Sequence, residues 1–371
     1  MKKLSIILIS LLLVFSCAKE PSLWKAYEDA FYIGVALNRD QISGKDRVAL
    51  DILKEHFNSI TPENILKWSE VHPVPDSFNF SPADAFVRLG EENNMFIVGH
   101  TLVWHYQTPQ WVFKDDNGNP VSKDVLIKRM KDHIFKVVGR YKGRIHGWDV
   151  VNEAINDDGS YRQSPWLKII GEEYIELAFE FAHEADPDAE LYYNDFNMWK
   201  PGKREGVIRL LKRLQSKGIQ IDGIGMQGHW GLDYPEILED IEASIKAFSD
   251  LGVKIMITEL DVTVLPFPDP ELIGADITKV YDLRAELNPY AEGLPDSMQK
   301  ILADRYREFF EVFLKHKDKI SRVTLWGMQD GQSFRNFWPI RGRADYPLLF
   351  DRNYMPKPAF YAVLEVAKIN K

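Results

Sequence analysis

From residue 31 onward the chain repeats one plan, a short apolar run followed by a segment with helical periodicity. The runs are "FYIGVALN" (31–38), "HFNSITPEN" (56–64), "MFIVGHTLVWH" (95–105) and "RIHGWDVVNEA" (144–154). They continue with "AELYYNDFN" (189–197), "IDGIGMQGHW" (221–230), "VKIMITELDV" (253–262) and "ISRVTLWGMQD" (320–330). Between them, stretches such as "DRVALDILKEHF", "DVLIKRMKDHIFKVVGRY" and "REGVIRLLKRLQSKG" repeat apolar residues at the period of a helix with one buried face. A last helical segment, "PAFYAVLEVAKIN", follows the eighth run. Runs that are apolar almost throughout belong to parallel strands covered by helices. Eight such units between residues 31 and 371 predict an α/β fold, a closed (β/α)8 TIM barrel in a single domain. An open, doubly wound sheet is the alternative. No GxGxxG or GxxxxGK phosphate loop follows an early run to favour it.

The ends of these runs point to chemistry. Each starts apolar and finishes polar or aromatic: Asn38, Glu63 with Asn64, His100 and Trp104, then Asn152 with Glu153. Asn194 and Asp195, Gln227 and His229, Glu259 with Asp261, and Trp326 complete the series. In a barrel these ends converge on the face that carries the active site. Wet loops make strand ends polar in any fold, but eight such ends, three of them bearing glutamates, favour a cleft.

Glu153 and Glu259 end the fourth and seventh runs, so in a sequential barrel they face each other across the mouth. Two carboxyls so placed suit glycoside hydrolysis, one attacking the anomeric carbon and the other protonating the leaving oxygen. At about 5–5.5 Å apart they would run a retaining reaction through a covalent glycosyl-enzyme. Both cannot be charged at that separation without a penalty, so one should hold a proton near neutral pH. Either could instead be an ion-pair partner of a nearby Arg or Lys, and it is the neighbours that argue against this. Asn152 can hydrogen-bond a sugar 2-hydroxyl. His229, on the strand beside that of Glu259, can orient a carboxylate, and Asp261 can hold His229. Trp104, Trp326 and Trp338 offer flat faces to the C–H surfaces of sugar rings.

These segments resemble glycoside hydrolase family 10, the barrel family of endo-β-1,4-xylanases. "WDVVNEA" (148–154) and "ITELDV" (257–262) carry the resemblance first, and "FNSITPENILKW", "GHTLVWHYQTPQW", "YYNDFN", "GIGMQGHW" and "PLLFD" follow in the family's order. The resemblance implies Glu153 as acid/base and Glu259 as nucleophile, with Asn152, His229 and Asp261 in support. It implies Glu63, Asn64 and Lys67 holding the sugar next to the cleaved one. His100, Trp104, Gln107, Asn194, Gln227 and Trp326 are its remaining substrate contacts. The chain departs from the pattern at Phe196, where the family usually has Tyr, and at Phe334, where it usually has Trp. Trp338, four residues on, is the expected replacement ring. The activity so implied is that of a retaining endo-1,4-β-xylanase on xylan and xylo-oligosaccharides. The expectation includes no cofactor and no metal. A metal-dependent hydrolase wants paired ligands of the H-x-H kind, whereas His100 and His105 alternate to opposite faces.

Composition bounds the rest. The 371 residues carry 46 basic and 55 acidic side chains, a net charge of −9, which argues against nucleic acid as a partner. "MKKLSIILISLLLVFSC" has a basic start and an apolar middle too short to span a bilayer. It reads as an export signal over residues 1–17. Cys17 is the single cysteine, so no intramolecular disulfide can form, and its place just after the apolar run resembles a lipoprotein attachment site. The expected product is an exported, membrane-anchored lipoprotein held through Cys17 alone, or otherwise a secreted protein; no oligomer is predicted. Residues 18–30 read as a short lead-in to the catalytic barrel at 31–371. The proline-rich piece 265–297 reads as an elaborated loop on the active-site face.

Overall fold

The computed structural model describes residues 21–269, 276 and 279–369. The strands are β1 (Tyr32–Leu37), β2 (Ser59–Pro62), β3 (Phe96–Val103), β4 (Gly147–Asn152), β5 (Glu190–Asp195) and β6 (Gly223–Met226). After them come β7 (His229–Gly231), β8 (Lys254–Thr263) and β9 (Ile320–Leu325). Every pairing is parallel. Each strand from β1 to β5 pairs with the next, β6 pairs with β8, and β9 closes the ring between β8 and β1. The result is a closed eight-stranded parallel barrel with helices outside it. The sixth expected run, 221–230, is not one strand. It breaks at Gln227 and Gly228, and β7 resumes beside the upper half of β8, with His229 opposite Asp261.

Capping and apolar spacing place the helices. Arg47–His56 starts where the Asp46 side chain accepts the Ala49 N–H, and it turns Ala49 and Leu53 inward. Lys123–Arg140 starts from a Ser122 cap and buries Leu126, Met130, Ile134, Val137 and Val138. Asp296–Lys315 buries Tyr306, Phe309, Phe310 and Phe313 on one stripe. One continuous core joins these faces to the outside of the barrel, and Val98, Tyr192 and Met256 form a small separate cluster.

The described part of the lead-in is packed down. Leu23 and Tyr27, at the helix Leu23–Ala26, are 1% exposed, and the Tyr27 hydroxyl donates to the Val363 carbonyl of the final helix, Pro358–Ile369. Residues 1–20, including Cys17, and part of the 265–297 segment lie outside the described residues. Among the described residues no helix is long and apolar enough to cross a membrane.

Candidate active site

The C-terminal ends of the strands surround one cleft. It is lined by Glu63, Asn64 and Lys67 after β2, by His100, Trp104 and Gln107 in and after β3, and by Asn152 and Glu153 at the end of β4. Gln227 and His229 from the broken sixth strand, Glu259 of β8, Trp326 after β9, and Phe334 complete the wall. Residues spread over more than 250 positions therefore meet on one face, as the polar run ends require.

Glu153 follows β4 with a backbone φ of 57°, in the left-handed region that non-glycine residues seldom occupy. Its N–H donates to the Asn194 carbonyl at 2.9 Å, and its carbonyl accepts from Arg162 Nε at 2.9 Å. The side chain turns into the cleft, where Trp104 Nε1 donates to Oε2 at 2.9 Å and Gln227 Nε2 to Oε1 at 3.1 Å. Burial raises the Glu153 carboxyl above the usual range, against the charge of Arg162 and these two donors; the charge of Glu259 adds to the rise.

Glu259 sits in the opposite electrostatic setting. Burial pushes its carboxyl up, yet the His229 hydrogen bond, the electrostatic pull of His100 and His229 and the Asn194 hydrogen bond outweigh that, and it lies below the usual range. Asn194 Nδ2 donates to Oε1 at 2.7 Å, and His229 Nε2 donates to Oε2 at 3.0 Å. The other ring nitrogen, Nδ1, donates to Asp261 Oδ2 at 3.0 Å. Burial works against a charged imidazole here, but Asp261 and Glu259 together lift it to about 9. Glycines make this geometry possible. A Cβ on Gly225 would stand 2.4 Å from Asn194 Oδ1, and Gly228 takes φ +82° where the sixth strand breaks. Past that break Asp261 N donates to the Gly228 carbonyl, while Glu259 N donates to the Gln227 carbonyl at 2.6 Å. Gln227 thus touches both glutamates, one through its side chain and one through its backbone.

A family model described as "Glycosyl hydrolase family 10" matches residues 22–366. The chain belongs to glycosyl hydrolase family 10. It is 47% identical to endo-1,4-beta-xylanase A of Xylanibacter ruminicola over 369 residues, covering 99% of this chain and 100% of the relative. It is 43% identical to a beta-1,4-xylanase of Dictyoglomus thermophilum, covering 97% of each. Among solved structures, a GH10 endoxylanase from a sugarcane soil metagenome superposes with a TM-score of 0.88 at 44% identity, covering 94% of this chain and 100% of that one. Another, a mutant in complex with xylotriose, gives a TM-score of 0.84 at 36% identity, covering 93% and 100%.

On the remaining wall of this family 10 hydrolase, Lys67 Nζ donates to Asn64 Oδ1 at 3.1 Å and lies 5.0 Å from the Trp104 ring. Burial holds the Lys67 ammonium below its usual value, against the pull of Glu259, Glu63 and Glu153. Burial likewise raises Glu63 to about 7. His100 is anchored through Nδ1 to Asp149 Oδ2 at 2.9 Å and meets the Trp326 ring edge-on.

Three expected site residues stand behind the cleft wall. Asn194 and Asp261 are 0% exposed and hydrogen-bond Glu259 and His229 respectively. Trp338, the expected replacement ring, is not among the described residues that line the cleft. Phe334 itself lines the cleft, 5.0 Å edge-on from the His229 ring, and Trp338 stacks behind it at 5.8 Å and 18°. The sequence reading missed two groups. Arg162 donates to the Glu153 carbonyl and pairs with Asp276 at 3.3 Å, which ties the long loop to the end of β4. Arg335 lies fully buried against Asp261. Neither falls at the end of an apolar run, so no pattern marked them. Among the described residues no group of three or more His, Cys, Asp or Glu side chains could hold a metal ion.

Proposed function

We propose that this chain is a retaining endo-1,4-β-xylanase that cleaves internal bonds of xylan and xylo-oligosaccharides by double displacement. The observation that carries the reading is the split between the two glutamates on one cleft: Glu153 held above the usual carboxyl range and Glu259 below it. A proton donor and an ionised nucleophile are what the two-carboxylate mechanism needs. Relatives that cover nearly all of this chain and bear the name xylanase support the substrate class.

Glu259 attacks the anomeric carbon, forming a C–O bond as the glycosidic bond breaks. Glu153 passes its proton to the departing oxygen. Once Glu259 is a neutral ester, its repulsion of Glu153 is gone. The Glu153 carboxylate then takes a proton from water, whose oxygen attacks the anomeric carbon and releases Glu259. Asn152 lies against Asn194 at 2.9 Å, in the cleft wall beside Glu153, and bonds the sugar 2-hydroxyl. Trp104 and Trp326 stack against the glycone-side rings, with Lys67, Asn64 and Glu63 reaching their hydroxyls. No cofactor takes part.

Proton NMR of xylo-oligosaccharide cleavage tests the stereochemistry: the β-anomer should appear first, and an initial α-anomer would refute retention. Glu259→Gln should abolish turnover of aryl xylosides while the fold persists, and unchanged turnover would end the assignment. The reading extends to export and a lipid on Cys17; Cys17→Ser should move the protein from the membrane to the soluble fraction, and an unchanged distribution refutes the anchor.

A further inference from the structure

We infer that Arg335 is a positioning residue for the nucleophile, its buried guanidinium fixing Asp261 so that His229 stays aimed at Glu259 as a charged donor. The inference rests on the reading of Glu259 as nucleophile. Arg335 stands on the short turn Phe334–Asn336 after β9 and is 0% exposed. Its Nε and Nη2 both donate to Asp261 Oδ1, at 3.0 and 2.8 Å, while Oδ2 of the same carboxylate is taken by His229 Nδ1. Each oxygen of Asp261 therefore has its own partner, and the carboxylate cannot rotate without breaking one of them. Arg335 Nη1 is buried with no hydrogen-bond partner. Among the described residues the side-chain hydrogen bonds of the guanidinium thus go to Asp261 alone. Its face packs near the Phe334 and Trp338 rings, 5.3 and 5.6 Å away.

A buried ion pair is a poor device for stability, because desolvation offsets the attraction and an apolar pair of similar volume does as well or better. A fully buried arginine at the far end of a chain reaching the nucleophile is better explained by what it orients. The chain runs Arg335, Asp261, His229, Glu259, with a charge-assisted hydrogen bond at every step. Other groups face it. Tyr234, Tyr306 and Asp345 surround Asp261 and Arg335, with Arg343 beside Arg335, and His100, Lys67 and Glu153 surround Glu259. Arg335 is a direct hydrogen-bonding cation on Asp261, besides His229.

The test compares Arg335→Met and Arg335→Lys with the parent, full chain in each case. It reads kcat and KM on an aryl xyloside across pH, together with the His229 ring 15N shifts. Arg335→Met should lower kcat by about 10- to 100-fold, the worth of losing charge-assisted hydrogen bonds, with KM nearly unchanged. Its acidic limb should move up by roughly half a pH unit as the support for the ionised nucleophile weakens. Arg335→Lys keeps the charge and should return the limb to the parent position with part of the rate. A parent-like limb and parent-like His229 signals in Arg335→Met would overturn the proposal, leaving a merely structural residue. If Arg335→Met does not fold, Arg335→Lys decides: parent-like kcat and parent-like His229 signals despite the lost two-donor fork would overturn it. The ring shifts read the chain of contacts without activity. A failure of the nucleophile reading, seen as turnover in Glu259→Gln, is thereby told apart from a failure of this one.

Discussion

Raising the pH should unload His229 and weaken the fold over a window that few other groups share. The imidazole is buried between Asp261 and Glu259, and its value rises from the ordinary 6.5 to about 9. A raised folded value means the native state holds the proton more tightly than the unfolded chain. The stabilisation is therefore complete below pH 6.5 and lost as pH climbs through 9. At 1.36 kcal/mol for each pH unit, that rise corresponds to about 3 kcal/mol. Glu63, raised to about 7, and Asp330, raised to about 6, lose their own contributions mostly at lower pH. His72 and His105, both lowered to about 4 by burial, act below pH 6.5 and in the opposite direction. Urea unfolding at pH 6.5 and 9.5 should show the parent losing about 3 kcal/mol more than His229→Gln, which has no such proton to lose. Equal losses in the two proteins would refute the ion-paired imidazole and, with it, the electrostatic account of Glu259.

Trp104→Phe keeps a ring but removes the Nε1 donor to Glu153 Oε2, so the alkaline limb of kcat/KM should move upward; a stationary limb would show that this contact does not tune the acid. Gly225→Ala would place a Cβ 2.4 Å from Asn194 Oδ1 and 2.8 Å from Thr258 Cγ2, pushing Asn194 off Glu259. Steady-state kinetics should then show kcat/KM reduced by about 10- to 100-fold, the scale of one lost hydrogen bond to a charge. Away from the cleft, Lys357→Met strands Asp330, whose carboxylate accepts two of the four Lys357 Nζ hydrogen bonds, at 3.2 and 2.9 Å. Urea denaturation should report about 3–5 kcal/mol lost, as expected when one partner of a buried pair is removed.

The barrel was legible because parallel strands buried on both faces leave long apolar runs, and helices between them leave a different period. Glu153 and Glu259 were legible for a related reason: a carboxylate ending such a run has no packing role. Orientation was not legible in this way. Asn194 ends a run as polar residues of the cleft do, yet the pleat turns its amide toward Glu259 and away from open space. Trp338 looks like a spare ring by count along the chain, but the turn at Phe334–Asn336 sends it behind Phe334. The sixth run looks continuous, since Gln227 and Gly228 bear no strong turn signal, yet Gly228 adopts a left-handed φ that ends the pairing. Arg335 was invisible because its partner Asp261 is 74 positions earlier.

The position of Gln227 has a consequence for how the two half-reactions are tied together. Its amide nitrogen grips the Glu153 carboxylate and its peptide oxygen anchors the strand of Glu259, so a single residue sets the span between the two carboxylates. In the double displacement proposed above, a shift of this residue by a fraction of an ångström would detune formation and breakdown of the ester in concert. Evolution or engineering could retune sugar preference at the outer walls, but the hub between the carboxylates leaves little slack.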